Sequence, residues 1–411
     1  MTSSTCRSDT PFNPAAIAAA GGRPDRALAW TRVARAAEWA GSCSLRQSVR
    51  LDQTGAVWLL AEGGHMTGGR TWTNDHPVLE ALRARRADPG RPGSRPDGFR
   101  IGLAAEGGGM RGVISASMLC ALEQLGLPVD RFDGVYGASS GATNCAYYIA
   151  GCAWYPLSIY YDDLTTRDFV DFRRALRGNI LNLDYTYETV VERVKPLDYG
   201  AVLASPVPFH VAMTDVHRRR TFTVSEFASK EDLKSALRGS AWLPVAVRGA
   251  APFRDRLVVD GGVLTAHPYQ LAVDDGCTHV LSLSTRPIRP PKTRNGFAHY
   301  LGAHHLERLQ PGLGKDYLAE VRRYREARRT LQRRMREPGS NPYVLDLAPL
   351  AWMPEVRRAE LSPWPLMTGA RQAYEVIYCA IEGVDPALLR TGEVRAVPRF
   401  EIVRGRRVDR S

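Results

Sequence analysis

The segment Phe99–Gly141 reads FRIGLAAEGGGMRGVISASMLCALEQLGLPVDRFDGVYGASSG. It holds two glycine-rich turns, Gly107–Gly112 and Gly137–Gly141. Each turn follows an apolar run typical of a strand and opens a run typical of a helix. Two successive strand–turn–helix units predict an α/β protein.

The second turn offers a serine nucleophile. Ser139 is the middle residue of Gly-Ala-Ser-Ser-Gly. A tight turn between strand and helix exposes a serine hydroxyl, and the helix N-terminus favours negative charge on it. The flanking Gly137 and Gly141 tolerate the strained backbone of such a turn. Because a pattern this short also arises by chance, the strand before it and the helix after it carry the prediction.

The first turn has two interpretations. Gly107, Gly109 and Gly112 fit a dinucleotide-binding fingerprint literally, but no clear βαβ unit with an acidic residue about 20 positions later follows, and there is no Walker lysine. The alternative is an oxyanion hole, in which the N–H groups of Gly107, Gly108 and Gly109 are unobstructed and Arg111 adds a cation. Each such donor is typically worth about 10²–10³ in rate. A serine turn one strand later favours the oxyanion hole.

The candidate base is Asp260. It ends an apolar strand-like run and precedes Gly261 and Gly262, which predicts a carboxylate on a sharp turn at the end of a strand. With a reference pKa near 3.9 an aspartate is a weak base, so the oxyanion hole would carry much of the catalysis. A Ser-His-Asp triad is the alternative. His267 is its best candidate, and the others are His210, His217, His304 and His305.

Together the GGGMRG loop, the GASSG turn and the Asp-Gly-Gly turn resemble the patatin-like phospholipase family, in that family's order. The resemblance covers roughly residues 100–290 and continues more weakly to about 385. It implies a three-layer α/β/α fold around a mostly parallel sheet, and a Ser–Asp dyad that needs neither a catalytic histidine, a metal nor a cofactor. It implies hydrolysis of the acyl esters of phospholipids or other lipids.

Carried over residue by residue, the resemblance makes Ser139 the nucleophile and Asp260 the general base. The oxyanion hole would comprise Gly107, Gly108, Gly109 and Arg111, and the supporting glycines would be Gly112, Gly137, Gly141, Gly261 and Gly262. The sequence departs from the family pattern twice. Glu106 stands where an aspartate is common, and Ala266-His267-Pro268 stands where an Asn-Pro pair often follows the Asp-Gly-Gly turn. The second departure leaves open whether His267 participates.

Three functions are compatible with these motifs. A lipid acyl hydrolase of phospholipase A, lysophospholipase or esterase type is favoured. An acyltransferase of the same fold would pass the acyl group to an alcohol or amine. A membrane-binding protein with a relict site is the non-enzymatic alternative.

The rest of the chain divides by composition. Residues 1–97 are an N-terminal extension that includes a candidate basic helix over 31–50 and ends in a Pro/Gly-rich linker. The catalytic core is expected over 98–290, and a basic loop and C-terminal helices that pack on it over 291–390. A tail follows over 391–411. Aromatic residues are frequent over 152–200, where ordinary packing is favoured over a substrate wall.

The net charge of +12 on 411 residues is the remaining clue to partners. A basic helix predicted over 315–336 carries an apolar stripe, which more often packs on its own domain than on an anionic membrane. No nucleic-acid partner is expected from charge alone. With seven scattered cysteines and no CxxC pair, no zinc site is expected. The absence of a long apolar run and of a signal-peptide pattern predicts a cytoplasmic protein, with peripheral membrane contact as the alternative.

Overall fold

The structure is a computed structural model. It describes residues 71–396 apart from 89, 91, 93, 172, 175–178, 245 and 291–294, together with two earlier strands. By its contacts the chain divides into two units, Met1–Gln47 and Ser48–Ser411, and the architecture belongs to the second.

The strands in chain order are β1 (Gln47–Leu51), β2 (Val57–Ala61), β3 (Ile101–Ala105), β4 (Gly134–Ala138), β5 (Phe209–Asp215), β6 (Arg220–Val224), β7 (Ala251–Phe253), β8 (Arg256–Asp260), β9 (His279–Leu283), β10 (Tyr343–Leu347) and β11 (Val394–Arg395). The α-helices are α1 (Pro77–Ala87), α2 (Val113–Gln124), α3 (Ser140–Ile149), α4 (Tyr155–Ser158), α5 (Tyr199–Leu203), α6 (Lys230–Ser240), α7 (Tyr269–Asp274), α8 (Phe297–Leu309), α9 (Leu313–Arg334), α10 (Pro363–Glu382) and α11 (Leu388–Thr391). Short 3-10 turns occupy Gly109–Gly112, Val129–Arg131 and Gly261–Val263, and π-helical segments occupy Ile159–Asp163 and Tyr185–Val194.

The central sheet has eight strands in the order β10-β9-β3-β4-β5-β8-β7, with β6 paired to β5 outside this path. The five strands from β10 to β5 are parallel, and β6, β7 and β8 are antiparallel to their neighbours. Every residue of β3, β4 and β9 is buried, as expected for strands covered by helices on both faces. This confirms the predicted α/β fold with a mostly parallel central sheet.

The direction of β8 differs from the simple expectation. A carboxylate at the end of a parallel strand would lie at the edge where the other strands end, but β8 runs antiparallel to β5. Its last residue, Asp260, pairs with Met213, and Ala138 at the end of β4 pairs with the preceding residue of β5, Ala212. The two strands therefore stop at the same level from opposite directions, and this brings their ends together.

The C-terminal helix α10 is part of the core. It begins at Pro363, where the missing N–H costs nothing, and ends before Gly383, whose φ of 71° suits a glycine cap. It packs closely on α2, since a Cβ on Gly369 would lie 2.6 Å from a methyl of Val356 and 3.0 Å from one of Ile114.

The long basic helix α9 matches the helix predicted over 315–336. Tyr324, Leu331 and Met335 of its apolar stripe are buried, and Leu318 and Val321 are half-buried. The stripe therefore packs on the domain, the interpretation that the sequence favoured.

Several predicted elements differ from the structure. The apolar run before the serine turn forms its strand only from Gly134 to Ala138, because the chain first makes the 3-10 turn Val129–Arg131. Of the helix predicted over 31–50, residues 31–46 lie outside the described residues and 47–50 are strand. In the predicted tail, Val394 and Arg395 pair with β2, and 397–411 lie outside the described residues.

Candidate active site

Ser139 stands on a sharp turn between β4 and α3. Its φ of 57° and ψ of −139° are strained for a residue with a side chain. The turn is tight: a Cβ on Gly137 would lie 2.6 Å from the Cα of Ala142, and one on Gly141 would lie 2.3 Å from the carbonyl oxygen of Ala105. Only glycine fits at either position, which explains why the motif needs both.

The hydroxyl of Ser139 meets the carboxylate of Asp260 directly. Ser139 Oγ donates to Asp260 Oδ2 over 2.6 Å, although 121 residues separate the two in the chain. The N–H of Gly262 donates to the other oxygen, Oδ1, over 2.7 Å and fixes the carboxylate plane. Gly261 allows the close turn, since its Cβ would lie 2.3 Å from the carbonyl oxygen of Ala212. The arrangement can pass a proton from serine to carboxylate without an intermediary.

The environment makes this carboxylate a stronger base than an ordinary aspartate. Burial raises the pKa of Asp260, and the hydrogen bonds from Ser139 and Gly262, with the charge of Arg358, offset only part of that effect. The side chain is 4% exposed. Asp260 is therefore a stronger base than the reference pKa of aspartate led us to expect.

Two residues that the sequence did not indicate hold the backbone of Ser139 and Asp260 in place. Ser240 Oγ accepts the N–H of Ser139 over 2.9 Å and donates to the carbonyl of Ala212 over 2.7 Å. The carbonyl of Trp242 accepts the N–H of Asp260 over 2.9 Å. Ser240 is the last residue of α6 and Trp242 follows two residues later, in a segment with no motif to signal either of them.

The glycine-rich loop lies against the serine turn. A Cβ on Gly107 would lie 2.7 Å from the Cβ of Ser139, and the N–H of Gly108 donates to Ser140 Oγ over 3.1 Å. The positive φ values of Gly108 (142°) and Gly109 (61°) turn the backbone here. Within the described residues, the N–H groups of Gly107 and Gly109 have no protein acceptor. They are therefore available to an oxyanion, whereas the N–H of Gly108 is already used.

Arg111 lies beneath this loop. A Cβ on Gly108 would lie 2.8 Å from its Nη2, and its Nε donates to Thr285 Oγ1 over 3.0 Å. Burial lowers the pKa of Arg111 to about 9, helped by the charges of Arg286 and Arg358, so the guanidinium is still charged at neutral pH. Its Nη2 is buried with no hydrogen-bond partner among the described residues.

Glu106, which departs from the family's aspartate, is the anion that balances this charge. Burial raises its pKa, but the charges of Arg111, Arg286 and Arg328 outweigh that effect and hold it at about 2. Its carboxylate accepts the N–H of Thr285 over 2.7 Å and the hydroxyl of Tyr324 over 3.0 Å. The longer side chain therefore anchors the loop from below and leaves the loop amides untouched.

The contacts of His267 are with residues other than Ser139 and Asp260. Its Nε2 pairs with Ser284 Oγ at 3.2 Å, and its ring packs on Tyr324 with centroids 5.4 Å apart. Burial lowers its pKa, so the ring is neutral at neutral pH. His210 stacks on Tyr136 with centroids 4.5 Å apart. Among the described residues, none of the candidate histidines His210, His217, His267, His304 and His305 hydrogen-bonds to the Ser139 hydroxyl or the Asp260 carboxylate, so no such contact supports the alternative triad.

The aromatic residues of 152–200 include two that brace α3. Tyr160 and Tyr187 are buried. The hydroxyl of Tyr160 bonds to Asn144 Oδ1 at 3.2 Å, and that of Tyr187 bonds to Thr143 Oγ1 at 2.9 Å.

An open cavity of about 500 Å³ is lined in part by Trp242, whose carbonyl accepts the N–H of Asp260. Its walls are Arg174, Asn179, Leu181, Asn182, Leu183, Asp184, Arg238, Trp242, Val247 and Arg248.

Comparison with known proteins gives one family. The family model described as patatin-like phospholipase matches residues 103–273. The uncharacterized protein YjjU of Escherichia coli (strain K12) is 25% identical over 258 residues, which are 61% of this chain and 68% of YjjU. The crystal structure of VipD from Legionella pneumophila aligns with a TM-score of 0.34 and 12% identity, over 84% of this chain and 73% of VipD.

Among the described helices, none combines the length and the apolar character that crossing a bilayer requires. The matched segment runs from β3 to α7 and holds the glycine-rich loop, the serine turn and the Asp-Gly-Gly turn. The similarity to the patatin-like phospholipase family therefore covers residues 103–273, the segment that holds all three motifs.

Proposed function

We propose that this protein is a serine hydrolase that cleaves the carboxylic esters of lipids through Ser139 and Asp260. The observation that carries the proposal is the 2.6 Å hydrogen bond from Ser139 Oγ to a buried carboxylate, made from a strained turn beside unpaired loop amides. The match to a family described as phospholipases supports a lipid ester as substrate.

The reaction follows from this geometry. Ser139 Oγ attacks the ester carbonyl carbon while its proton passes to Asp260 Oδ2. The carbonyl π electrons move to oxygen, and the oxyanion is stabilised by the N–H groups of Gly107 and Gly109 and by the N-terminus of α3. When the C–O bond breaks, the leaving alcohol takes the proton from Asp260. A water molecule then attacks the acyl-enzyme, with Asp260 again accepting the proton, and Ser139 is regenerated.

Arg111 acts in this proposal as a positioning residue. Its guanidinium lies under Gly108 and bonds to Thr285, so its positive charge supports the loop from below. The glycines of the serine and aspartate turns allow approaches that a side chain would block. Contact of the arginine-rich face of α9 with anionic membranes remains a prediction.

The test is fluorophosphonate labelling with peptide mass spectrometry, combined with turnover of a soluble p-nitrophenyl ester. We expect the label on Ser139, and loss of turnover in Ser139→Ala and Asp260→Asn. Ser205→Ala is the matched serine control, since Ser205 lies just before the start of β5, at the end of the sheet away from the dyad.

The other outcomes are distinct. An equal loss of turnover in a folded His267→Gln variant would replace the dyad with a triad. Acyl transfer to an added alcohol in place of hydrolysis would indicate an acyltransferase. If wild-type protein neither labels nor turns over ester, the hydrolase proposal fails in favour of a relict site.

A further inference from the structure

The helix α8 presents its large apolar side chains to solvent. Phe297 is 81% exposed, Tyr300 55% and Leu301 47%. Their spacing of three and four residues places them on one face of the helix. The inner face carries the smaller Ala303 together with Leu306, both buried. A helix usually packs its large apolar side chains inward, whereas α8 exposes them. Exposed apolar clusters of this kind are typical of interaction sites.

The buried side of α8 packs next to the candidate active site. His299, on the same helix, bonds through Nδ1 to the hydroxyl of Tyr317 at 3.0 Å. Leu306 of α8 lies in one apolar cluster with Val259 and Val263, which stand just before Asp260 and just after Gly262, and Tyr317 packs against this cluster. The part of α8 that holds Leu306 is therefore close to Asp260.

A second exposed segment also lies next to the candidate active site. The carbonyl of Arg358 accepts the N–H of Met110 over 3.0 Å, so this segment crosses the glycine-rich loop. The Arg358 side chain is exposed and, within the described residues, makes no hydrogen bond or ion pair. Trp352 (40% exposed) precedes it by six residues and Trp364 (68% exposed) follows it by six. Tryptophan and arginine together are typical of protein surfaces at the headgroup level of a bilayer.

We infer that α8 and the Trp352–Trp364 segment form a docking surface for a lipid bilayer that carries anionic headgroups. The inference rests on the proposed function, because an ester held in a membrane has to reach Ser139 from the side where this surface lies. Arg358 is an exposed cation without an ion-pair partner among the described residues, whereas the neighbouring Glu355 pairs with Arg111 at 3.9 Å. The free charge of Arg358 favours an anionic lipid surface over a neutral one. The stripe of α9 is already buried and cannot serve this purpose.

The test measures vesicle binding in full-length Ser139→Ala protein, so that hydrolysis does not alter the vesicles. We expect it to co-sediment with phosphatidylcholine/phosphatidylglycerol vesicles, and more weakly with phosphatidylcholine alone. Adding Phe297→Ser and Leu301→Ser should lower the partition coefficient at least about tenfold, given the apolar surface removed. Adding Arg358→Ser should reduce the preference for anionic vesicles.

The matched control adds Leu203→Ser. Leu203 is 40% exposed but lies just before the start of β5, at the opposite end of the sheet from Ser139. It should bind vesicles like the parent, and melting temperatures of all variants establish that they are folded. Equal binding by the Phe297→Ser/Leu301→Ser variant and the control would overturn the inference. So would a dimer in sedimentation velocity that this variant dissociates, because the face would then cover a second copy.

Failure of this inference can be told from failure of the proposed function. Turnover of a soluble ester by wild-type protein without vesicle binding overturns the docking surface and leaves the hydrolase. Vesicle binding that depends on Phe297 and Leu301, without labelling or turnover, supports the surface and removes the hydrolase.

Discussion

The aspartate of the candidate dyad combines two opposing requirements. To accept a proton from Ser139, the carboxylate of Asp260 must be ionised, yet it is buried, and burial disfavours the charge. Within the part of the chain that the structure describes, two hydrogen bonds, from Ser139 and Gly262, stabilise the ionised form. The result is a carboxylate whose pKa lies above that of a free aspartate. This favours proton transfer and carries a cost in stability.

The first prediction concerns pH. Because Asp260 must be ionised to act, kcat/KM for a soluble ester should fall as the pH is lowered through its raised pKa. The midpoint of that fall is expected above 3.8, the ordinary value for aspartate. The same acid limb should be seen in a His267→Gln variant. A midpoint at or below 3.8, or an acid limb that disappears with His267, would remove Asp260 as the base.

The second prediction separates activity from stability. Since the folded-state pKa of Asp260 is raised, the ionised form destabilises the fold above that pKa, and the penalty vanishes at low pH. Asp260→Asn should therefore lower turnover by about 10²–10⁴ and raise the melting temperature at pH 7. The gain in melting temperature should shrink as the pH is lowered.

The control for this change is Asp255→Asn. The Asp255 side chain is 74% exposed, so it should alter neither quantity appreciably. A lower melting temperature of Asp260→Asn than of wild type at pH 7 would contradict the argument.

At the scale of the elements, the two glycine-rich turns are packed against each other. A Cβ added to Gly107 would lie 2.6 Å from the carbonyl oxygen of Ala138 and 2.7 Å from the Cβ of Ser139. Both atoms belong to the strained serine turn, which cannot shift without moving Ser139. The fit of the loop therefore sets the distance between its amides and Ser139 Oγ.

The third prediction follows from this packing. Gly107→Ala should push the loop away from Ser139 and lower the rate of fluorophosphonate labelling by about 10²-fold or more, through lost oxyanion stabilisation. Gly200→Ala in α5 is the control, because its added Cβ would meet only a side-chain oxygen of Asp198 at 3.3 Å. Labelling of Gly107→Ala at the wild-type rate would show that the loop does not determine the site.

Local sequence signals predicted much of this arrangement. The glycine turns and the apolar runs before them depend on neighbouring residues, so β3, α2 and the turns at Ser139 and Asp260 could be located within a few residues. The prediction that Ser139 and Asp260 lie together came from the family resemblance. No local sequence pattern indicates that β8 runs antiparallel to β5 and ends opposite Met213.

Other parts could not be read from the sequence for physical reasons. Ser240 supports the serine turn through contacts that only the folded sheet creates, and a serine after a short helix has no distinctive pattern. The helix α8 was not predicted, because its large apolar residues face outward and do not follow the pattern of a core helix. The role of its exposed face depends on what lies beside it in space.

At the scale of the whole molecule, α9 connects the C-terminal part of the chain to the central sheet. Arg328 donates to Asp346 of β10 over 2.8 Å and to the carbonyls of Arg286 and Pro287. One turn earlier, Tyr324 bonds to Glu106 beneath the glycine-rich loop. These links make the predicted core over 98–290 and the helices after it interdependent, so we expect them to unfold together.

The fourth prediction tests this interdependence. Arg328 and Asp346 have side chains only 4% and 2% exposed. Removing one partner of such a buried pair typically costs about 3–5 kcal/mol, because the other charge is left unpaired. Arg328→Ala should therefore lower the free energy of unfolding by that amount, in a single transition measured by guanidinium denaturation with tryptophan fluorescence and far-UV circular dichroism. The next residue, Arg329, is exposed, and Arg329→Ala should change stability by less than about 0.5 kcal/mol. Similar effects of the two variants, or separate transitions for the two probes, would mean that α9 and the sheet are not one cooperative unit.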